Sequence, residues 1–198
     1  MLINGKISYE ELEQLTFQLN TSIHNSYLKK IYHYNSLWLF KFNHYCFIFE
    51  PGVALWPGSF PEREKNLHSV CIKLRKEIGD QKLISLNIIE NDRTVVLEFK
   101  NKYKLVLELY SKGNIILLDD NNKIIILTRI YPSCTHGNIY HLGKYKIFND
   151  YFPVIKYGWK QHNKEIIHSL HDFDNIIQAM DSLWKLKNIG GGKINKEK

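Results

Sequence analysis

Residues 82–120 read KLISLNIIENDRTVVLEFKNKYKLVLELYSKGNIILLDD, and this stretch decides the fold. Apolar side chains alternate or run on in β-branched and aromatic blocks: Ile84, Leu86 and Ile88, then Val95, Leu97 and Phe99, then Leu105, Leu107 and Leu109, then Ile115 to Leu118. A period of two is the mark of strands with one face buried. The interruptions are Glu90-Asn91-Asp92, Lys100-Asn101-Lys102 and Ser111-Lys112-Gly113, residue types that tight turns use. Four strands in a meander are predicted, and the rest of the chain should pack on that sheet or extend it.

Upstream, residues 8–20 read as an amphipathic helix. Ser8 and Glu11 form a capping-box pair, Leu12, Leu15 and Leu19 make its apolar stripe, and Asn20-Thr21-Ser22 ends it. Strands are expected over 27–34, 37–43 and 45–50, joined by tight turns at Asn35-Ser36 and Asn43-His44. Pro51-Gly52, Pro57-Gly58 and Pro61 then punctuate a loop around the short run Val53 to Trp56. A second helix is predicted over 66–78, with Leu67, Val70, Cys71, Leu74 and Ile78 on one face, Lys73, Arg75 and Lys76 on the other, and Gly79 as its stop.

Downstream of the meander, 123–130 reads as a further strand, 131–141 as a loop and 144–148 as a last edge strand. From about residue 150 the pattern changes. Residues 163–187 are helical in period, with Ile166, Ile167, Leu170, Phe173, Ile177, Met180 and Trp184 on the inner face, and the end IGGGKINKEK reads as a disordered basic tail. The expected organisation is a domain over 1–150, a helical extension over 151–189 and a tail over 190–198. The fold class is α+β: an antiparallel β-sandwich with two flanking helices and a C-terminal helical extension.

A chain of 198 residues with 44% hydrophobic residues has ample material for a core. Its net charge of +7 favours an anionic partner such as nucleic acid over an acidic small substrate. Cys46, Cys71 and Cys134 have no metal-ligand spacing, and Cys46 and Cys71 lie in apolar runs, so buried free thiols in a reducing compartment are expected. No signal peptide and no apolar run of membrane-spanning length is present, which points to an intracellular protein, cytoplasmic or organellar. Heavy use of Ile, Lys and Asn fits an AT-rich genome, plastid-like, viral or endosymbiont. There is no phosphate-binding Gly loop, no zinc spacing and no nucleophile motif, and His162, His168 and His171 lack ligand partners at metal spacing. The chain therefore reads as a non-enzyme with no cofactor.

Three pieces carry a family resemblance: Leu74-Arg75-Lys76 on a helix, Asp92-Arg93 opening a strand, and Glu108-Leu-Tyr-Ser-Lys-Gly-Asn-Ile-Ile-Leu-Leu-Asp119. Over roughly residues 7–148 the chain resembles the N-terminal (NFACT-N) domain of the ribosome-associated quality-control factors. That family includes the eukaryotic nuclear export mediator factor and the bacterial proteins once called fibronectin-binding. The resemblance implies a fold similar to the N-terminal domain of formamidopyrimidine-DNA glycosylases. It also implies contact with tRNA on a large ribosomal subunit whose nascent chain has stalled. The relatives continue with helix-hairpin-helix, coiled-coil and C-terminal RNA-binding modules, so a protein partner supplying the coiled-coil part is a further expectation.

The resemblance ties Asp92-Arg93 to tRNA handling. An Arg fork matches phosphate geometry, and a neighbouring Asp orients it or accepts from ribose or base. Glu11 aligns with a family Asp that works with this pair, although the capping box gives it a structural use as well. Arg75 and Lys76 supply supporting phosphate contacts, or else form a solvated helix face with Lys73. The expectation is an acid–guanidinium couple projected outward from a cationic β-scaffold. Gly113 and Asn114 read as turn-building residues. One departure stands out: the family's Gly-hydrophobic-Arg-hydrophobic-His run is here Gly52-Val53-Ala54-Leu55-Trp56, without the basic pair. Residue 2 is Leu where the glycosylases have their Pro nucleophile, so glycosylase activity is not expected. Two other classes fit the residues: a DNA-binding protein derived from the glycosylase-like fold, and a protein-interaction module using the helices around Ile177 and Trp184.

Overall fold

The computed structural model describes residues 6–58 and 68–148. The helical extension and basic tail expected beyond residue 150 lie outside the described residues. In chain order the elements are α1 (Tyr9–Ile23), β1 (Leu28–Tyr34), β2 (Leu37–Phe42), β3 (Cys46–Glu50), β4 (Ala54–Pro57), α2 (Ser69–Ile78), β5 (Leu83–Ile88), β6 (Thr94–Phe99), β7 (Lys104–Glu108), β8 (Asn114–Leu118) and β9 (Ile124–Leu127). They make two antiparallel meanders, β1-β2-β3-β4 and β5-β6-β7-β8-β9. Turns close through left-handed residues, among them Asn35, Asn91, Lys102, Ser111 and Asn122. Asn is the side chain that tolerates this conformation best after Gly, because it hydrogen-bonds local backbone.

The α+β expectation holds, and the meander is where the sequence placed it. The inner faces of the two sheets share one core, in which Phe40, Phe47 and Phe49 meet Val95, Leu97, Leu105, Leu107, Ile115 and Leu117. Helix α1 packs on the edge strands β4 and β5, and α2 packs on the edge strands β1 and β9. Each helix therefore covers strand edges that would otherwise expose unpaired backbone groups. The outer face of the five-stranded sheet carries a second cluster, Val96, Val106, Ile116 and Leu118 under Tyr131, Tyr140, Leu142 and Tyr145.

Several local expectations change. The run around Val53 to Trp56 is strand β4 and not a loop, since Val53 N–H closes a turn on the Glu50 carbonyl and Pro57 sits at the end of an edge strand. A proline there costs no ladder hydrogen bond. Helix α1 continues through Asn20-Thr21-Ser22 to Ile23. The Thr21 and Ser22 hydroxyls bond back to the Phe17 and Gln18 carbonyls, and Asn20 accepts the Leu86 N–H of β5. Helix α2 begins at Ser69 with His68 as its cap, and the left-handed residue after it is Asp80, while Gly79 stays extended. A bulge at Leu83/Ser85 shifts the β5 register, so Leu83, Leu86 and Ile88 point inward and Ile84 is 42% exposed. Residues 144–148 make only a single bridge, Ile89 to Tyr145, because Tyr145 turns over the sheet to Glu98 and Phe148 packs on Phe17. None of the three cysteines is in a disulfide; Cys71 and Cys134 are buried and Cys46 is half-buried. Among the described residues, no helix is long and apolar enough to cross a membrane.

Candidate nucleic-acid interface

One end of the sandwich gathers the start of α1 and the turns β3–β4, β5–β6 and β7–β8. Ile7 donates its N–H to the Val53 carbonyl at 2.9 Å, tying the helix start to the first sheet. The Ile7 carbonyl in turn accepts Arg93 Nη1–H at 3.1 Å, which ties it to the second. Lys6 Nζ donates to the Ser111 carbonyl at 3.3 Å. Gly52 and Gly113, both at positive φ, bring the β3–β4 and β7–β8 turns into backbone contact.

Glu11 sits on the first turn of α1, 4% exposed, in the predicted capping box. Ser8 N–H donates to its Oε2 at 3.0 Å, and Glu11 N–H donates to Ser8 Oγ at 3.2 Å. Its neighbour Ile7 is the residue that holds Arg93, so Glu11, Asp92 and Arg93 converge at this end. The couple is not simply projected outward. Asp92 and Arg93 are both half-buried, and part of the Arg93 fork is spent on Ile7. Lys112 and Ser111 are exposed beside them on the β7–β8 turn.

Arg75 and Lys76 do not join this cluster. Arg75 Nε and Nη2 both donate to the Ile31 carbonyl of β1, and its guanidinium lies 4.8 Å from the centroid of the Tyr32 ring. That fork is committed to a carbonyl. Lys73 and Lys76 are exposed on the same helix. At the positions of the missing basic pair, Ala54 and Trp56 are both buried, 5% and 4% exposed, so these residues serve the core.

Behind the Asp92-Arg93 turn lies a polar row of which sequence reasoning singled out only Asn114, as a turn-building residue. Thr94, Glu108 and Asn114 are register partners across β6, β7 and β8, all buried on the outer sheet face. Glu108 Oε1 accepts the hydroxyls of Tyr110, Tyr131 and Tyr140, each at 2.8 Å. Burial is the largest cause that raises these phenols, and the Glu108 carboxylate adds to it in all three, after the Tyr110 hydrogen bond in the case of Tyr131; Tyr110 is pushed up to about 12, with Asp92 adding to the effect. Burial also raises the Cys134 thiol. Glu108 Oε2 and Thr94 Oγ1 are buried without a partner among the described residues. Asn114 Oδ1 accepts from the Ile115, Thr128 and Arg129 N–H groups and from Thr128 Oγ1, and its Nδ2 donates to the Arg129 carbonyl. The only sequence signal for this row was Glu and Asn at otherwise apolar strand positions.

Comparison with known proteins places the chain. Residues 59–150 match the family model described as NFACT N-terminal and middle domains, a span that holds Asp92, Arg93 and the Glu108–Asp119 stretch. The match over residues 59–150 supports an NFACT-N domain of the ribosome quality-control family. It is 38% identical over 80 residues to ribosome quality control complex subunit 2 of Saccharomyces cerevisiae, covering 39% of this chain and 8% of that protein. It is 32% identical over 112 residues to the archaeal Rqc2 homolog aRqcH of Methanocaldococcus jannaschii, covering 46% and 17%. The chain thus spans a small part of the length of these curated relatives. The NFACT-N fold is similar to that of the N-terminal part of the fibronectin/fibrinogen-binding protein from Streptococcus suis, with a TM-score of 0.62 at 18% identity over 69% of this chain and 62% of that one. It is also similar to the N-terminal domain of fibronectin-binding protein PavA from Streptococcus pneumoniae, with a TM-score of 0.59 at 16% identity, covering 91% and 87%.

Proposed function

We propose that this NFACT-N domain is a non-enzymatic RNA-binding module that contacts tRNA at the large ribosomal subunit during quality control of stalled nascent chains. The observation that carries the reading is the convergence of Glu11, Asp92 and Arg93 at one end of the sandwich, beside Lys6 and Lys112. The Ile7 carbonyl takes one corner of the Arg93 fork and fixes its orientation. The donors left over then meet phosphate oxygens at a small loss of side-chain entropy. Asp92, half-buried beside them, is an acceptor for ribose or base. Family membership in ribosome quality control supports the choice of RNA, and the net charge of +7 agrees with it.

The test is tRNA binding measured over a salt series, with duplex DNA as competitor. Arg93→Ala is expected to weaken tRNA about 10-fold or more, the loss of one to two charge-assisted contacts. The unfolding free energy should fall by only about 1 kcal/mol for the Ile7 bond. Equal affinity of the wild-type chain for duplex DNA overturns the reading in favour of a DNA-binding protein. Co-sedimentation with large subunits, lost in the Asp92/Arg93 double variant, tests the ribosomal part.

A further inference from the structure

Away from Arg93, at the other end of β6, a second basic surface is built with care. A cleft of about 410 Å³ is lined by Ile84, Glu98, Phe99, Lys100, Lys102, Lys104 and Asp120. Its Lys100 and Lys102 stand on the β6–β7 turn, and that turn is held from three sides. Lys100 N–H donates to the Lys82 carbonyl at 2.8 Å, Lys102 N–H donates to the Phe99 carbonyl at 2.8 Å, and Asn101 Nδ2 donates to the Glu77 carbonyl at 3.0 Å. The last bond ties the turn to the final turn of α2, where Lys76 is exposed. Lys76 is the residue before the bonded Glu77, at the end of the helix that this turn meets.

Three ammonium groups, of Lys100, Lys102 and Lys104, stand against the carboxylates of Glu98 and Asp120, so the cleft keeps a positive balance. Glu98 Oε1 accepts the Tyr145 hydroxyl at 2.6 Å and Oε2 accepts the Ser85 hydroxyl at 3.2 Å, so the carboxylate is engaged with the sheet. Lys104 Nζ is bonded to neutral Asn122. Lys100 and Lys102 are exposed and have no ion-pair or hydrogen-bond partner for their ammonium groups among the described residues. Ile84, turned out by the β5 bulge, gives the cleft an apolar wall. Ammonium groups beside an apolar wall suit a phosphodiester chain, whose phosphates take the charge while sugar or base covers the hydrocarbon.

We infer that the β6–β7 turn and its cleft, with Lys76 alongside, form a second phosphate-backbone site that grips the same RNA as the Arg93 end. Seven residues of extended chain separate Arg93 from Lys100, on the order of 20 Å, which spans several nucleotides of backbone. The inference deepens the RNA-binding reading and takes the identity of the polymer from it.

The experiment compares the wild-type chain, K100A/K102A and a control K123A/K144A, which removes two exposed lysines elsewhere, with two probes, tRNA and inorganic polyphosphate. Both residues of the test pair are exposed, so its melting temperature should equal that of wild type. The expected result is a fall of about 1.5 in the slope of log affinity against log salt for K100A/K102A, and no change for the control. If tRNA binds and Arg93→Ala weakens it while K100A/K102A leaves the slope untouched, the second site is wrong and the RNA reading stands. If tRNA does not bind but polyphosphate does, with the slope reduced in K100A/K102A, the anion site stands and the RNA reading fails. Equal effects of the control and test pairs overturn the inference, since charge would then act without a site.

Discussion

Gly113 and Gly52 touch backbone to backbone: a Cβ on Gly113 would lie 2.1 Å from the Gly52 nitrogen, and a Cβ on Gly52 would lie 2.6 Å from the Ser111 carbonyl oxygen. This contact joins the two sheets at the end where Arg93 and Glu11 converge. Both glycines also hold positive φ, +69° and +74°. Gly113→Ala therefore adds a backbone collision to the left-handed penalty, and it should cost upward of about 3 kcal/mol in urea unfolding. Gly137 provides the control. Its φ is +83°, but the nearest atom to a Cβ there is the end of the Lys123 side chain at 3.8 Å, so Gly137→Ala should cost only about 1–2 kcal/mol. Equal losses for the two variants would mean that the turn-to-turn contact contributes nothing.

Glu108 is the acceptor on which three tyrosines depend. Glu108→Ala removes the acceptor shared by the Tyr110, Tyr131 and Tyr140 hydroxyls, and a loss of about 3–5 kcal/mol is expected. Tyr140→Phe removes one donor and leaves the carboxylate with two, so it should lose about 1 kcal/mol. Chemical denaturation of both variants measures the ratio. Because Tyr131 and Tyr140 belong to the segment that covers the outer sheet face, faster amide exchange in Val106 and Ile116 should accompany the Glu108 loss.

The same tyrosines set an alkaline limit. Burial raises Tyr110 from 10.0 to about 12, and Tyr131, Tyr140 and Tyr145 are raised as well. The folded state holds these protons more tightly than the unfolded chain does. The contribution of all four is complete below about pH 10; that of Tyr110 is lost as pH rises through about 12, and that of the other three falls over the same rise and beyond it. In a combined phenolate-absorbance and circular-dichroism titration, the buried phenolates should appear together with unfolding, above pH 10. Ionisation of all twelve tyrosines before any loss of ellipticity would contradict the buried network.

What could be read beforehand follows from where the physics is local. The meander was legible because period-two apolar runs and Asn-, Asp- and Gly-bearing turns act within a few residues, and the capping box at Ser8 and Glu11 is as short in range. The β4 strand was hidden because Pro51 before it and Pro57 at its end argue for a loop until one sees that Pro57 ends an edge. The Ile84 face was misjudged because a bulge inserts one residue, which no periodicity shows. Long-range pairings were invisible altogether. Nothing in the order of residues says that Arg93 will reach Ile7, that Tyr131 and Tyr140 will return to Glu108, or that Asn101 will tie the β6–β7 turn to α2. The candidate site was legible as residue types through family resemblance, and its division into two ends required the fold.

Glu11 carries two jobs that a pair of substitutions can separate. Its Oε2 takes the Ser8 N–H in the capping box, a task that a Gln amide oxygen performs equally well. Its negative charge lies at the positive end of the α1 dipole, worth about 0.3–1 kcal/mol. Glu11→Gln should therefore keep the cap and lose at most that amount, whereas Glu11→Ala should lose about 1 kcal/mol more. Both variants lack the carboxylate that holds Ser8, the residue after the Ile7 that binds Arg93. If the charge of Glu11 takes part in tRNA recognition, the two should show the same change in tRNA affinity despite their different stabilities. A tRNA affinity that tracks stability instead, with Gln near wild type and Ala reduced, would assign Glu11 to the helix cap alone and leave Asp92 and Arg93 as the recognition pair.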